Sequence, residues 1–287
     1  MTAGPAGSSL TDRLLDTLVA ALADDPQRAV LATDFDGVLA PIVDHPEHAR
    51  PHPDALVALA RLGHVIGQLV VITGRPARTA VQLGGLDIEP GLRRLVVLGQ
   101  YGVERWDGAT DTYAIPPVPE ALGEVRRAVP DLLAEQGWAD ARIEDKGRAL
   151  AIHTRTLAEP DRALAELTEP VRRLAEEHGL HLEPGRRVLE VRQSGMDKGV
   201  ALRSIVAETG ARTVIYAGDD LGDVPAFEAV RDLAAEGLTT CAVWSASAER
   251  ASLPHLTDVA VDGPAGVAAW LTMVADRVER RLTGNGG

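Results

Sequence analysis

One cysteine among 287 residues, Cys241, has no partner for an internal disulfide and belongs to no pair or quartet that could take zinc or an iron–sulfur cluster. A reducing compartment follows, and the chain is expected to be cytoplasmic. Positive charge is short as well: 29 Lys and Arg against 42 Asp and Glu leave a formal net charge of −13. That field repels nucleic-acid phosphates and anionic lipid, so neither a nucleic acid nor a membrane is expected as a partner. Any anionic ligand must meet a local reversal of sign. No apolar run approaches the roughly 18 uninterrupted residues of a membrane span, and the N-terminus lacks a basic-then-apolar signal pattern. Aromatic residues make up 3% of the chain, and the four tryptophans, Trp106, Trp138, Trp244 and Trp270, are scattered as core or interface residues are, not gathered as a sugar-stacking platform. Lysine is nearly missing: among 29 basic residues only Lys146 and Lys198 are lysine. A GC-rich genome explains the bias toward arginine, but each surviving lysine invites a reason.

What is present is ordinary globular material, 45% hydrophobic and 25% charged, at a length near two domains of roughly 150 residues. Short apolar runs alternate with helix-length amphipathic segments, the pattern of parallel strands joined by crossover helices. Strands are predicted at Ala29 to Thr33, Leu69 to Thr73, Leu95 to Leu98, Thr213 to Ala217, Thr239 to Val243 and Asp258 to Val261. Residues 1–26 read as a lead-in helix. After the Pro-rich joint Ile115-Pro116-Pro117-Val118-Pro119 the rhythm changes to helix, two strands, helix, two strands. The expected organisation is an α/β core over 27–113 and 193–287, interrupted by a small α+β domain over 114–192.

Four motifs carry chemistry. The first strand ends in Asp34-Phe35-Asp36-Gly37, where alternation places two carboxylates on one side and Gly37 permits a sharp turn. The next ends in Thr73-Gly74-Arg75-Pro76, a hydroxyl and a glycine before a helix start, which suits a phosphate cradle and equally suits a helix N-cap. Lys198 opens a helix, and Gly218-Asp219-Asp220-Leu221-Gly222-Asp223 follows a buried strand. Three carboxylates in five residues call for a hard cation such as Mg²⁺, although Asp223 also serves as a helix cap. Carboxyl ends of parallel strands are where such sheets bind ligands. The stretch Asp44 to His52 contains three histidines, but Pro46 and Pro51, with Pro53 just beyond, prevent a helix that would align them on a metal.

In this order and spacing, Asp34, Thr73, Lys198 and Asp219 resemble the haloacid-dehalogenase-like (HAD) phosphohydrolases, over nearly the whole chain. The resemblance implies a Rossmann-like parallel-sheet core with an inserted α+β cap. It also implies Mg²⁺ held by Asp34, Asp36 and Asp219 with Asp220 and Asp223 in support, Asp34 as nucleophile and Asp36 as general acid and base. Thr73, Gly74, Arg75 and Lys198 become the phosphate-binding set. Within the superfamily the chain is most similar to the trehalose-phosphate phosphatases, on Asp34 to Ile42, Gly99-Gln100-Tyr101-Gly102-Val103-Glu104, Glu144-Asp145-Lys146-Gly147 with His153-Thr154-Arg155, and Glu183 to Arg192. That likeness implies trehalose 6-phosphate as substrate and Tyr101, Glu104, Glu144, Lys146, His153, Arg155 and Glu190 as its contacts. It also raises a functional pairing with a trehalose-phosphate synthase.

Three departures stand out. Val38 replaces the usual Thr after the first glycine, Gly222-Asp223-Val224 replaces Thr-Asp-Glu, and Gln193 stands where Pro is common. None touches the expected nucleophile, acid, lysine or first metal aspartate. Alternatives are a phosphatase for another sugar phosphate (sucrose phosphate, a glycosylglycerate or a glycosylglycerol phosphate) and a non-catalytic regulatory partner of a synthase. A receiver-like signalling domain does not account for Asp36 or the insertion.

Overall fold

The computed structural model describes residues 10–185, 187–193, 195–246 and 255–284. They form two compact units, one running to Ile115 and resuming at Asp197, the other Pro116–Met196. The joints thus fall a few residues beyond those read from the sequence. On the returning side the reason is visible: the last strand of the second unit continues to Gln193, and Arg192 donates to the Met196 carbonyl.

The first unit is built on an eight-stranded sheet. Six parallel strands, β1 (Ala29–Thr33), β2 (Gln68–Ile72), β3 (Leu95–Gly99), β10 (Thr213–Gly218), β11 (Thr239–Ala246) and β12 (Val259–Asp262), are extended by two antiparallel ones, β4 (Glu104–Asp107) and β5 (Thr112–Ala114). The order is β12-β11-β10-β1-β2-β3-β4-β5. Parallel strands must be covered on both faces, which is why β1 and β3 are buried at every position. Alternation along β1 sends Leu31 into one apolar layer and Val30 and Ala32 into the other. The first layer is closed by α1 (Leu10–Asp24), α2 (Pro53–Gly63), α3 (Ala77–Gly84) and α8 (Gly263–Gly284), and the second by α6 (Lys198–Thr209) and α7 (Val224–Ala235). Helix α1 is part of this core, with Leu18 and Leu22 fully buried, and residues 1–9 of the segment read as its lead-in lie outside the described residues. Each such leucine contributes about 1.5–3 kcal/mol of burial.

The second unit has a four-stranded antiparallel sheet in the order β6-β7-β9-β8, from β6 (Arg142–Asp145), β7 (Ala149–His153), β8 (Leu180–Gly185) and β9 (Val188–Gln193). Helices α4 (Glu120–Glu135) and α5 (Pro160–Glu177) supply Leu122, Val125, Val129, Leu167 and Val171 to a core with Leu150, Ile152, Leu189 and Val191. The helices cover one face of the sheet, and β8 alternates buried Leu180 and Leu182 with exposed His181 and Glu183, but in the middle strands the opposite face is buried too, at Ala149, Ala151 and Glu190. Among the described residues, no helix is long and apolar enough to cross a membrane.

Candidate active site

The motifs meet at the carboxyl ends of β1, β2 and β10. Leaving β1, the Asp34 amide donates to the Ala217 carbonyl of β10, so Asp34 follows Val30 and Ala32 toward the face covered by α6. The helix delivers Lys198 there: Asp197 caps it by accepting from the Val200 amide, and Lys198 is its first residue. Its Nζ lies 2.6 Å from Asp34 Oδ2 and 2.6 Å from Asp223 Oδ1. Gly37, at φ +73°, turns the chain beside Asp219, and a Cβ on it would collide with the Asp219 carboxylate. Carboxylate oxygens of Asp34, Asp219 and Asp223 all lie within 4.8 Å of one another.

The electrostatics of this buried cluster are uneven. Burial opposes the Lys198 charge, but Asp223 and Asp34 outweigh it and hold the ammonium well above the ordinary lysine range. Burial also opposes the Asp223 charge, yet Lys198 and the Tyr216 hydroxyl keep that carboxyl below its usual range. Asp34 goes the other way: burial raises its pKa well above the ordinary value, Lys198 pulls against this, and Asp223 and Asp219 push it further up. One lysine shared by crowded carboxylates does not neutralise them. A hard cation would fit here, holding Asp34 ionised.

Asp223 has little left to give a metal. Its Oδ1 accepts from Lys198 and, at 2.5 Å, from the Tyr216 hydroxyl, and its Oδ2 accepts from the Asp219 and Asp220 amides. Asp220 in turn accepts from the Gly222 amide. These two residues shape the loop, which leaves Asp34 and Asp219 as the carboxylates that could ligate a cation directly. Tyr216, absent from the sequence reading, lies on the α6–α7 face of β10 three residues before Asp219, its ring edge-on to Phe227. A hydroxyl in a strand buried at every position was the available signal.

Thr73 is buried at the end of β2, its Oγ1 accepting from the Arg75 amide at 3.1 Å. Gly74 faces Tyr101: a Cβ there would lie 2.9 Å from the Tyr101 hydroxyl. Gln100 and Tyr101 adopt φ of +49° and +60°, an arrangement that costs non-glycine residues energy. The Gln100 and Tyr101 amides, bonded to the Arg75 and Thr73 carbonyls, hold it in place.

Two residues have partners that the sequence reading did not name. Arg75, assigned to phosphate, forms a two-point ion pair with Asp36, Nε to Oδ2 at 2.6 Å and Nη2 to Oδ1 at 2.7 Å. Glu104, assigned to substrate, is buried and accepts the Ala77 amide at the start of α3, where a helix N-terminus favours negative charge. The site as read from sequence treated each residue alone and missed these pairings.

In the second unit the register sets Glu144, Ala151, Glu190 and Glu183 side by side across the sheet, on the face away from its apolar core. Lys146 Nζ reaches Glu190 at 2.5 Å past the small Ala151, and His153 Nε2 lies 2.7 Å from Glu144. Arg126 of α4 binds Asp145 Oδ1 at 2.7 Å and also the Gly147 carbonyl, bracing the turn that carries Lys146. Nothing in the sequence pattern marked Arg126. Arg155 is exposed in the turn after β7.

Comparison with known proteins gives a consistent result. A family model described as trehalose-phosphatase matches residues 32–255. The chain is 32% identical over 269 residues to a trehalose-phosphate phosphatase of Mycolicibacterium paratuberculosis, covering 86% of this chain and 62% of that protein. It therefore spans less than two thirds of that relative's length. It is 27% identical over 256 residues to the trehalose-6-phosphate phosphatase of Escherichia coli, covering 88% of each. The C-terminal domain of a Candida albicans trehalose-6-phosphate phosphatase shares the fold at a TM-score of 0.69 and 19% identity, covering 96% of this chain and 99% of that one.

Proposed function

Because the chain belongs to the trehalose-phosphatase family, we propose that it hydrolyses trehalose 6-phosphate to trehalose and orthophosphate, with Asp34 as a transiently phosphorylated nucleophile. The observation that carries this reading is the convergence of Asp34, Lys198 and Asp219 at the strand ends, a buried anionic cluster with one lysine. In the first step an Asp34 oxygen attacks phosphorus as the bond to the sugar oxygen breaks. The leaving oxygen takes a proton from Asp36. In the second step Asp36 takes a proton from water as the water oxygen attacks phosphorus, and the Asp34–phosphorus bond breaks. Lys198 and Thr73 offer donors to the phosphoryl oxygens. Asp223 and Tyr216 keep Lys198 charged and in place.

Asp34 and Asp219 would hold Mg²⁺, with the Asp36 carbonyl and with Asp220 and Asp223 in support. When bound, the cation offsets the charge of the nucleophile and the phosphoryl group. In the second unit Glu144, Lys146 and His153 present partly exposed polar groups beside the more buried Glu190, the chemistry that short hydrogen bonds to sugar hydroxyls require.

The test is phosphate release from a panel of sugar phosphates, with and without Mg²⁺, by wild type and Asp34→Asn. Preference for trehalose 6-phosphate, lost in the variant and on chelation and restored by Mg²⁺, is the expected result. Equal rates on simple hexose phosphates would reject the disaccharide, and Mg²⁺-independent turnover would reject the mechanism.

A further inference from the structure

Arg75 points both arms of its guanidinium at Asp36, and everything around it fixes that aim. Its amide donates to Thr73 Oγ1, its carbonyl accepts the Gln100 amide, and its guanidinium carbon lies 5.5 Å from the centre of the Phe35 ring. The side chain is 14% exposed against 35% for Asp36. Both carboxylate oxygens are engaged, in the planar geometry that lysine cannot reproduce. We infer that Arg75 is a positioning residue for Asp36, a fork that holds both oxygens of the ionised carboxylate and, when Asp36 carries the proton, keeps one oxygen and leaves the proton-bearing one free toward the leaving group, and not a ligand of the transferring phosphate.

This rests on Asp36 being the acid of the proposed reaction. In the first step the sugar–oxygen–phosphorus bond breaks, its electron pair stays on the sugar oxygen, and the Asp36 proton goes to that oxygen. A carboxyl free to rotate would place the proton correctly only part of the time. The cost of losing the fork therefore depends on how much the leaving group needs the proton. A sugar alkoxide needs it strongly. 4-Nitrophenolate, a far better leaving group, needs it little. A phosphate ligand would behave otherwise, since both substrates carry the same phosphoryl group.

The experiment is single-turnover phosphorylation of the enzyme, followed by acid quench, for wild type, Arg75→Met and Arg75→Lys with trehalose 6-phosphate and 4-nitrophenyl phosphate. With the sugar phosphate, the phosphorylation rate is expected to fall about 100-fold in Arg75→Met and about 10-fold in Arg75→Lys. The substrate concentration at half-maximal rate stays within about twofold, and losses with 4-nitrophenyl phosphate are several-fold smaller. The inhibition constant for orthophosphate is expected to stay near the wild-type value. Equal losses on both substrates, or an orthophosphate constant that rises in step with them, would overturn the inference. Arg75→Lys keeps the charge and decides the matter if Arg75→Met does not fold. Should wild type spare trehalose 6-phosphate, the substrate reading fails separately, and an alkyl phosphate that the enzyme accepts takes its place in the same comparison.

Discussion

Each unit of this molecule contains one lysine, and each lysine is bonded to a carboxylate at nearly the same distance, yet the two pairs live under different physics. Lys198 is 4% exposed and shared between Asp34 and Asp223 at 2.6 Å each, inside an α/β core covered on both faces. Lys146 is 33% exposed and meets Glu190, itself 11% exposed, at 2.5 Å on the face of the second sheet away from its apolar core. Burial makes the first pair part of the fold: water cannot replace either partner, so the charges are fixed where a phosphoryl group would need them. Partial exposure of the Lys146 ammonium makes the second pair easier to exchange than the first, because water or a ligand hydroxyl can reach the lysine even though Glu190 is largely buried. A lysine–carboxylate pair is thus locked in one environment and looser in the other.

Mutation separates the two. Lys198→Met leaves Asp34 and Asp223 buried without their counter-charge and is expected to cost about 3–5 kcal/mol in urea unfolding, together with loss of measurable phosphate release. A small stability change would show that the buried pair is not structural. Tyr216→Phe sharpens the point by removing only the hydroxyl that Asp223 accepts. It is expected to cost about 1.5–3 kcal/mol, the range for a hydrogen bond to a charge, and to slow turnover less than Lys198→Met. Lys146→Met lies at the other end: about 1–2 kcal/mol in stability, since Glu190 loses its partner while largely buried, a KM for trehalose 6-phosphate raised about tenfold, and a much smaller effect on 4-nitrophenyl phosphate. If Lys146→Met destabilises as much as Lys198→Met, the contrast between the units fails.

Much of this was legible in the sequence because the parallel strands are continuous apolar runs and each motif sits where one ends. The antiparallel extension of the sheet was not. In β4 the buried positions are Glu104 and Trp106, and a carboxylate at an inward position hides the alternation that marks a strand. β5 has three residues, too few to show a period. At the site, residue types announced themselves and partners did not. Thr73, Lys198 and the aspartates were identified by order and spacing, but that Arg75 would turn to Asp36, Glu104 to the Ala77 amide and Asp223 to Tyr216 depends on backbone placement between distant segments. Even the departure at Gly222-Asp223-Val224 reads differently in three dimensions. The retained Asp223 closes a capping box with Asp220, so the loop keeps its shape without the usual threonine.

The most direct test of the account is to trap the enzyme during turnover of radiolabelled trehalose 6-phosphate by rapid acid quench and to map the label by proteolysis. A hydroxylamine-labile phosphate on the peptide containing Asp34, absent in Asp34→Asn, is the predicted result. Label on another residue, or full turnover by Asp34→Asn, would contradict it.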